Sequence, residues 1–559
     1  MSVDSLAALD EAVRRFEPLW RTNYDPQVSR DFNPGPETIK QRILANLERL
    51  GEEPLIYFRD LVVTRREADL HACAVANALI DLGIRKGERV SLIMANRPEI
   101  VYGFMACYKA GYVAAAYNQR CTSLEISSSV NTVGSSVVFI EGAHLEKIAV
   151  PVKEGRCPTV RAIVVLDEYD ASLDAGVPVL PYEDFVAGAS TAEPDVEVTP
   201  DDPAIVLFTG GTTGVSKGVC ATQGKVTHEL RIMHHWAAPA LAANPDPRVL
   251  ICMPMTHIMG INYGVHWQLI NGGSTVVAEG VHAEEIISSF IKYEPTMWAA
   301  LPTLLHTASL DERLGQTPYK DLDLIIFGGS FIAMETMHRL TSQTRAKFAE
   351  SYGMSESFGF VTANPVMSQG KLGSVGLPIS TTDLLIVDLE EGVKPLEPGE
   401  RGEIIFRGPQ VATEYLNNPE ETAKAIRGGW MYSGDIGYMD EDGFFYVVDR
   451  KKDMIEVSGF NVFPKEIDEL LMTHPCIADA CTIGVPNEHS CERPKSFVVL
   501  RPGCDLTEAE VIAFCKKSLV AYKAPKFVEF VDEIPKTRNR KQDRAILRKR
   551  ELEKLAANR

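Results

Sequence analysis

Short apolar runs alternate with longer amphipathic stretches up to about residue 384. The runs are four or five residues long and apolar apart from Ser91, which is typical of buried strands, and helical patterns lie between some of them. This alternation predicts an α/β fold with mainly parallel sheets. The strand-like runs are residues 90–94, 137–140, 162–166 and 204–208, and the clearest helical stretches are residues 66–82 and 99–110.

The pattern changes after Leu384. Short strand-like runs now alternate with turn residues, as in the run 402–407 and the run 444–448. Asp442-Gly443 lies directly before the second of these runs, and Asp-Gly between apolar runs is a strong hairpin signal. We therefore predict an antiparallel β subdomain that closes the large N-terminal α/β domain.

A charged stretch, Asp-Arg-Lys-Lys-Asp at residues 449–453, follows this subdomain and suits an exposed joint between domains. The remaining residues, about 105 of them, are enough for one small α+β domain. The predicted organisation is a large domain over residues 1–451 and a small C-terminal domain over residues 452–559.

Composition narrows the functional class. The formal net charge of −19, from 57 basic and 76 acidic residues, argues against a nucleic-acid partner held by general electrostatics. Eleven scattered cysteines, an odd number, fit reduced thiols better than a disulfide framework. Residues 1–20 lack the pattern of a signal peptide, and no segment approaches the roughly 20 apolar residues of a membrane span. We expect a soluble cytoplasmic protein without stable membrane insertion, and its oligomeric state stays open.

A loop rich in glycine and threonine follows the run 204–208. Residues 209–218 contain four glycines, three threonines and one serine, and Lys217 is their one charged residue. Backbone N–H groups and hydroxyls of such a loop can converge on an anion, and the lysine adds a positive charge. Gly218 follows the lysine, so the pattern is not Walker A. A flexible linker is the alternative, but the preceding strand and the positive charge favour a phosphate loop.

This loop resembles the signature of the adenylate-forming superfamily, which includes acyl-CoA synthetases, luciferase-like enzymes and peptide-synthetase adenylation domains. The usual form is Thr-Ser-Gly-Thr-Thr-Gly, two residues, then Lys-Gly. Gly210 replaces the common serine and Ser216 the common proline, so one hydroxyl is lost and the loop is less rigid. The resemblance implies that the loop binds ATP, with Thr213 also serving catalysis and Mg²⁺. The implied nucleotide-binding residues are Thr209, Gly210, Gly211, Thr212, Thr213, Gly214 and Lys217.

Further motifs follow in the family's order. Tyr-Gly-Met-Ser-Glu at residues 352–356 resembles the Tyr-Gly-x-Thr-Glu segment, which implies that Tyr352 packs on adenine and Ser355 reaches a phosphate. Glu356 would act in catalysis by holding Mg²⁺, a role that suits a hard carboxylate oxygen near polyphosphate. Gly-Gly-Ser at residues 328–330 matches the preceding adenine-side segment. The implied nucleotide-binding residues here are Gly329, Ser330, Glu350, Ser351, Tyr352, Gly353, Met354 and Ser355.

Two more motifs lie near the predicted hinge. The segment Tyr-Ser-Gly-Asp that ends at Asp435 is similar to the ribose motif, in which one carboxylate accepts hydrogen bonds from both ribose hydroxyls. The charged stretch resembles the hinge motif, with Arg450 on the nucleotide and Lys452 as the pivot. Gly459 matches the loop glycine beside the tunnel for the thiol of coenzyme A. In the family the small domain rotates about this hinge, so the C-terminal domain is expected to be mobile.

The last motif contains the implied catalytic lysine. The family pattern is Pro-Lys-Thr-x-(Ser/Thr)-Gly-Lys-x-x-Arg, and its second lysine, which contacts the substrate carboxylate and the α-phosphate, corresponds to Lys541. Asn539 and Arg540 replace the small hydroxyl residue and the glycine, and arginine does not tolerate the backbone angles of glycine. A solvated basic run is the alternative, but the register with Pro535 and Arg544 favours Lys541.

The acid pocket is the least specified part of the predicted site. The segment around His257 resembles the one whose histidine lies near the acyl group and serves catalysis there, and a packed core histidine is an equal alternative. The other candidates are apolar or small, apart from Asn262, and such pockets bury most of a small apolar ligand. A medium-chain fatty acid and an aromatic acid both remain open. The lining candidates are Ile261, Asn262, Gly328, Gly353 and Met354.

These motifs together predict an AMP-forming acid–CoA ligase that uses a carboxylic acid, ATP, Mg²⁺ and coenzyme A. One alternative is an adenylating enzyme that loads a carrier protein or passes the adenylate to another acceptor. The other alternative is a nucleotide-binding regulator without catalysis, which only the altered Asn539-Arg540 pair and the missing loop serine support.

Overall fold

Two large sheets, both mainly parallel, form the N-terminal part of the protein, as the alternation of apolar runs predicts. In the described part of the chain one sheet has seven strands and the other has nine. The computed structural model describes residues 1–208, 217–278, 280–329, 332–457, 460–487, 491–536 and 542–557.

The strands and helices are numbered in chain order. The strands are β1 (Pro54–Phe58), β2 (Leu61–Thr64), β3 (Arg89–Ile93), β4 (Val113–Ala116), β5 (Ser135–Glu141), β6 (Ala162–Leu166), β7 (Val179–Pro181), β8 (Pro203–Phe208), β9 (Gly218–Thr222), β10 (Arg248–Ile251), β11 (Ser274–Val277), β12 (Met297–Ala300), β13 (Leu324–Gly328), β14 (Lys347–Met354), β15 (Gly359–Ala363), β16 (Leu377–Pro378), β17 (Asp383–Val387), β18 (Gly402–Arg407), β19 (Ile426–Arg427), β20 (Trp430–Met439), β21 (Phe445–Arg450), β22 (Ile455–Val457), β23 (Phe460–Val462), β24 (Ile477–Asn487), β25 (Cys491–Leu500) and β26 (Phe527–Phe530). The α-helices are α1 (Val3–Asn23), α2 (Ile39–Leu50), α3 (Arg65–Asp81), α4 (Pro98–Ala110), α5 (Ser123–Val133), α6 (Glu146–Lys153), α7 (Tyr182–Val186), α8 (Gln223–Ala237), α9 (Ile258–Ile261), α10 (Trp267–Ile270), α11 (Ala283–Tyr293), α12 (Pro302–Ser309), α13 (Met334–Thr341), α14 (Pro419–Ala425), α15 (Pro464–Met472), α16 (Glu508–Lys516) and α17 (Arg544–Ala557).

The strand order confirms the prediction of mainly parallel sheets. The seven-stranded sheet runs β7-β6-β5-β3-β4-β8-β9 and contains the four predicted strand-like runs as β3, β5, β6 and β8. The nine-stranded sheet runs β16-β15-β14-β13-β12-β10-β11-β1-β2. Within the described strands, antiparallel pairs occur only toward the edges of these two sheets, so parallel strands fill both centres.

Local sequence explains where the helices begin and end. Thr64 caps α3, because its hydroxyl accepts the Glu67 N–H at 3.2 Å while the Glu67 carboxylate accepts the Thr64 N–H at 2.8 Å. The helix α4 has Pro98 at its first position, where the missing N–H costs nothing, and ends before Gly111, whose φ of 70° favours glycine. The predicted helices 66–82 and 99–110 are thus confirmed within one residue at each end.

The antiparallel subdomain is also confirmed. Strands β17, β18, β20, β19 and β21 pair antiparallel in one sheet. Asp442-Gly443 lies in the turn between β20 and β21, where Gly443 has a φ of 88° that a side chain would disfavour.

The C-terminal domain contains another five-stranded sheet together with α15, α16 and α17. Its strand order is β23-β22-β25-β24, with β26 beside β25. Asp449 and Arg450 end β21 and β22 begins at Ile455, so only the rest of the charged stretch lies between the two sheets. The expected exposed joint is only partly right, because Asp449 and Asp453 are buried. The division at residues 451 and 452 stays a prediction. In this arrangement the Lys465 backbone N–H donates to Asp449 at 2.8 Å and the Lys465 ammonium donates to the Val447 carbonyl at 3.1 Å.

All eleven cysteines lie within the described residues, and none of them forms a disulfide. Among the described residues, none of the helices combines the length and the apolarity that crossing a bilayer requires.

Candidate active site

The carboxyl ends of β13 and β14 bring the two predicted adenine-side segments together. Gly328, at the end of β13, pairs with Ser351 of β14. A Cβ on Gly328 would lie 2.2 Å from the Ser351 carbonyl oxygen, so only glycine fits there. Gly329 follows with a φ of 85°. Since ligands of open α/β sheets bind outside the carboxyl ends of the strands, this is the expected place for a nucleotide.

Strands β8 and β9 flank the predicted phosphate loop. They are antiparallel neighbours, with Phe208 opposite Gly218, so the chain leaves and re-enters the sheet at one point. Lys217 is the one nucleotide-binding loop residue that the structure describes. Thr209, Gly210, Gly211, Thr212, Thr213 and Gly214 lie outside the described residues, as do Ser330, Gly459 and Lys541.

Glu356 is the centre of a buried polar cluster. It is 5% exposed, and the Tyr415 hydroxyl donates to its Oε1 at 2.6 Å. Lys217 pairs with Glu421, and its ammonium lies 5.0 Å from the centre of the Tyr415 ring. Burial raises the pKa of the Glu356 carboxyl, and the Tyr415 hydrogen bond partly offsets that rise. The charges of Arg450 and Lys217 also lower the pKa of Glu356, which places both cations within electrostatic reach.

A second cluster joins the nine-stranded sheet to the antiparallel subdomain. The Tyr352 hydroxyl donates to Asp435 Oδ2 at 2.7 Å, and Arg450 Nε lies 3.2 Å from Asp435 Oδ1. Asp435 and Arg450 are direct partners across β20 and β21. The Asp435 charge is the main cause that raises the pKa of Arg450. The structure therefore brings together three predicted nucleotide-binding residues that are up to 98 positions apart, since 450 − 352 = 98.

Gly353 and Met354 are the last residues of β14, and Ser355 begins the turn that follows it. Gly353 is exposed and packs so closely on β15 that a Cβ would lie 1.8 Å from the Gly359 carbonyl oxygen. Met354 and Ser355 are partly buried, and the Met354 N–H donates to Ser357 Oγ at 3.1 Å.

Glu350 and Ser351 point into the protein. The Ser351 hydroxyl donates to the Phe327 carbonyl at 3.1 Å. Glu350 is 8% exposed, and one of its carboxylate oxygens has no hydrogen-bond partner among the described residues. Burial raises the pKa of Glu350 to about 7, and the positive charge of Lys465 opposes this rise.

Glu350→Gln is expected to stabilise the protein at pH 8 by about 3 kcal/mol, because folding raises the pKa of the Glu350 carboxyl from 4.5 to about 7 and each pKa unit is worth roughly 1.4 kcal/mol. The raised pKa means that folding favours the protonated carboxyl, a contribution present below pH 4.5 and lost as the pH rises through about 7. Glutamine mimics the protonated form at every pH. Urea unfolding at pH 8 and pH 5 checks this, and an equal gain at both pH values would contradict it.

The segment after His257 contains a π-helical turn, Asn262–His266, between α9 and α10. Asn262 is 2% exposed and donates to the Phe358 carbonyl at 2.6 Å. His266 lies 3.0 Å from the Asn262 side-chain oxygen and 2.6 Å from the Tyr108 hydroxyl. These buried hydrogen bonds fix the turn after Glu356 to the core. Short π-helical segments such as Asn262–His266 often occur at functional sites. His257 is partly buried and precedes α9 as its N-cap.

Lys452 lies between the two domains. Its carbonyl accepts a hydrogen bond from Arg548 of α17 at 3.2 Å, and Arg548 also pairs with Asp453 at 2.9 Å. Partial desolvation, followed by the charge of Arg450, lowers the pKa of Lys452. The predicted pivot is thus attached to the C-terminal helix in this arrangement.

Tyr415 and Glu421 belong to the site but were not predicted as site residues. The signal available in the sequence was weak: an aromatic residue shortly before Asn418-Pro419, a typical helix start. Tyr415 and Glu421 lie beside Glu356 and Lys217 because of the path that the chain takes after β18. That path depends on long-range contacts, which the local sequence pattern does not encode.

Comparison with known proteins finds relatives that match most of the chain. The sequence model of the AMP-binding enzyme family matches residues 45–416, and that of the AMP-binding enzyme C-terminal domain matches residues 466–541. A long-chain-fatty-acid–CoA ligase of Escherichia coli O6:H1 is 30% identical over 543 residues, covering 93% of this chain and 96% of that protein. A 2-succinylbenzoate–CoA ligase of Geobacillus kaustophilus is 32% identical over 528 residues, covering 93% and 98%.

A solved structure agrees with these matches. The crystal structure of the anthranilate CoA ligase AuaEII in complex with anthranoyl-AMP has a TM-score of 0.82 at 25% identity, over 94% of this chain and 99% of that chain. The match to the AMP-binding enzyme model spans more than half of the chain. The chain therefore belongs to the AMP-binding enzyme family, the adenylate-forming superfamily, and is an enzyme of the acyl-CoA synthetase type.

Proposed function

We propose that the protein activates a carboxylic acid with ATP and transfers the acyl group to coenzyme A. A carboxylate oxygen attacks the α-phosphorus, the bond from that phosphorus to the bridging oxygen breaks, and pyrophosphate leaves. The thiol of coenzyme A then loses its proton to solvent, its sulfur attacks the acyl carbon of the acyl-AMP, the bond from that carbon to the phosphate oxygen breaks, and AMP leaves. The observation that carries this proposal is the convergence of Tyr352, Asp435 and Arg450, with Glu356 close by, outside the carboxyl ends of β13 and β14.

Asp435 has the acceptor capacity that a ribose needs. A carboxylate offers about four lone-pair positions, and here Tyr352 occupies one of them while Arg450 lies beside the other oxygen. The remaining positions can accept both ribose hydroxyls. Since Tyr352 and Arg450 hold the carboxylate in place before the ligand arrives, little side-chain entropy is lost on binding.

The residues around Glu356 fit a magnesium ion that also contacts the phosphates. Mg²⁺ in nucleotide sites takes one or two protein carboxylates and completes its coordination with phosphate and water. Glu356 supplies one oriented carboxylate, and Thr213 is the proposed second contact. When bound, Mg²⁺ would neutralise charge on the phosphates. Tyr415 orients the carboxylate by donating to Oε1.

Cations must offset the repulsion between the two reacting anions. Two unit charges about 4 Å apart repel by roughly 4 kcal/mol at an effective dielectric constant near 20. Lys217 and Arg450 already act on the Glu356 end of the site, and Lys541 is proposed to contact the attacking carboxylate and the α-phosphate. Positioning and charge stabilisation, without a protein nucleophile, carry this step.

The acyl acceptor and the acid complete the proposal. Gly459 is proposed to line the thiol tunnel after the C-terminal domain rotates about Lys452. The relatives act on long-chain fatty, 2-succinylbenzoic and anthranilic acids, which supports a fatty or aromatic acid as the substrate class here.

The test is acid-dependent pyrophosphate release over a panel of fatty and aromatic acids. Thioester and AMP formed on addition of coenzyme A would support the proposal, and release indifferent to coenzyme A would point to a carrier protein or another acceptor.

Asp435→Ala is expected to raise the KM for ATP by about 10- to 100-fold, because a buried, charge-assisted acceptor is lost and Arg450 is left without its partner. The KM for the acid should change far less. Steady-state kinetics with each substrate varied in turn, and with Asp435→Asn as the isosteric comparison, measure this split. An unchanged ATP dependence would remove Asp435 from the ribose site.

A further inference from the structure

Glu229 is a fully buried carboxyl that nothing described so far uses. It lies within α8 and is 0% exposed. Neither of its carboxylate oxygens has a hydrogen bond of good geometry among the described residues, although the Phe360 backbone N–H lies close enough to lower the Glu229 pKa. Two other buried acidic residues, by contrast, are paired with lysines. Asp69 pairs with Lys109 at 2.5 Å, and Glu403 pairs with Lys451 at 2.8 Å.

The carboxyl group of Glu229 faces the turn that leads from the nucleotide segment into β15. A Cβ on Gly359 would lie 2.1 Å from Glu229 Oε1, so the carboxyl packs directly on the Gly359 backbone. Gly359 is the pairing partner of Met354, one of the candidate residues for the acid pocket. Glycine at position 359 is therefore what allows the Glu229 carboxyl to reach this end of the site.

A second unpaired polar group lies beside Glu229. Tyr263, in the π-helical turn, is 0% exposed, and its hydroxyl has no hydrogen-bond partner among the described residues. Its ring lies 6.2 Å from the ring of Phe360, the residue after Gly359. Burial and, next, the charge of Glu229 raise the pKa of Tyr263 well above its ordinary value, which places the two side chains within electrostatic reach.

An unpaired carboxyl in the interior is costly, since burying a polar group without a hydrogen bond loses its hydration with no return. Burial raises the pKa of Glu229 well above its ordinary value, and the nearby Phe360 amide only partly opposes that rise. Even a protonated carboxyl leaves one donor and one acceptor to be satisfied. A buried polar group that lacks a protein partner is one that a ligand can pair.

We propose that Glu229, with Tyr263 beside it, recognises a hydrogen-bond donor on the acid substrate, an amino or hydroxyl group remote from the carboxylate that is activated. This inference rests on the proposed function and narrows its substrate class. The favoured acids are amino- or hydroxy-substituted, and an all-hydrocarbon chain would leave Glu229 unpaired in the bound complex. A site built to pair a polar group discriminates strongly against an analogue that lacks it.

The test compares matched acids by kcat/KM for pyrophosphate release with ATP, Mg²⁺ and coenzyme A. Each set contains a hydrocarbon acid and its hydroxy and amino derivatives of equal length, both aliphatic and aromatic. The wild type is expected to prefer a donor-bearing acid over its hydrocarbon analogue by about tenfold or more. Glu229→Leu is expected to reduce this preference by about 10- to 100-fold, chiefly by losing the donor-bearing acid.

Two further variants keep the result interpretable. Glu229→Gln preserves the shape and is expected to retain hydroxy acids while losing ammonium-bearing ones, which distinguishes the two donor types. Arg231→Gln removes a charge from the same helix, where Arg231 lies 3.9 Å from Glu37, and should leave the preference unchanged. If the wild type prefers hydrocarbon acids and neither Glu229→Gln nor Glu229→Leu alters that preference, the role of Glu229 is overturned while the proposed function stands. Thioester formation with none of the acids would instead overturn the proposed function.

Discussion

Replacing Glu356 by glutamine is expected to slow adenylate formation by about 100- to 1,000-fold, the loss typical of removing one group that stabilises transition-state charge. The carboxylate is 5% exposed and is held by Tyr415 at 2.6 Å, so it is oriented before ATP binds. Glutamine keeps the shape but removes the negative charge that a divalent cation requires. Rapid-quench measurement of acyl-AMP over a range of Mg²⁺ concentrations gives both the rate and the Mg²⁺ dependence.

Tyr415→Phe is the matched control for this experiment. It removes only the hydroxyl that orients Glu356, so a smaller loss, about tenfold, is expected together with an increased requirement for Mg²⁺. A Glu356→Gln enzyme that forms acyl-AMP at the parent rate, with an unchanged Mg²⁺ dependence, would exclude Glu356 from the metal site.

Much of the fold follows from local sequence pattern. The apolar run 162–166 is strand β6 at both of its predicted ends, because a run buried on both faces has a sharp boundary in polarity. Asp442-Gly443 predicts its hairpin because the turn needs a positive φ, which Gly443 adopts at 88°. These signals act over a few residues and need no knowledge of the rest of the chain.

The side-chain clusters of the site depend on contacts that local pattern does not contain. Tyr415 reaches Glu356 across 59 positions, and only the closure of the segment after β18 brings the two together. Glu229 lies in the middle of α8, a helix with many polar residues that is nevertheless mostly buried, and a charged residue of a helix is usually exposed. The order of the motifs along the chain predicted that Tyr352, Asp435 and Arg450 form one site. The acid pocket has no comparable set of ordered motifs, so its residues could not be predicted in the same way.

Lys541→Ala is expected to separate the two half-reactions. Adenylate formation should fall by about 1,000-fold, because one charge that offsets the repulsion between carboxylate and α-phosphate is lost. Thioester formation from supplied acyl-AMP should stay within about threefold of the parent, since the attack of the thiol on the acyl carbon does not need this charge. Single-turnover assays of each step, the first with acid and ATP and the second with acyl-AMP and coenzyme A, measure the two rates.

Lys536→Ala provides the control from the same segment. Lys536 is 55% exposed, lies 3.7 Å from Asp479 and pairs with Gln542, whose amide donates to the Ala480 carbonyl at 2.8 Å. Lys536 and Gln542, the described residues on either side of 537–541, are therefore anchored to the C-terminal domain. Since exposed ion pairs contribute little, Lys536→Ala should preserve both steps. If Lys541→Ala slowed both steps equally, the lysine would serve the arrangement of the domains and not the adenylation chemistry.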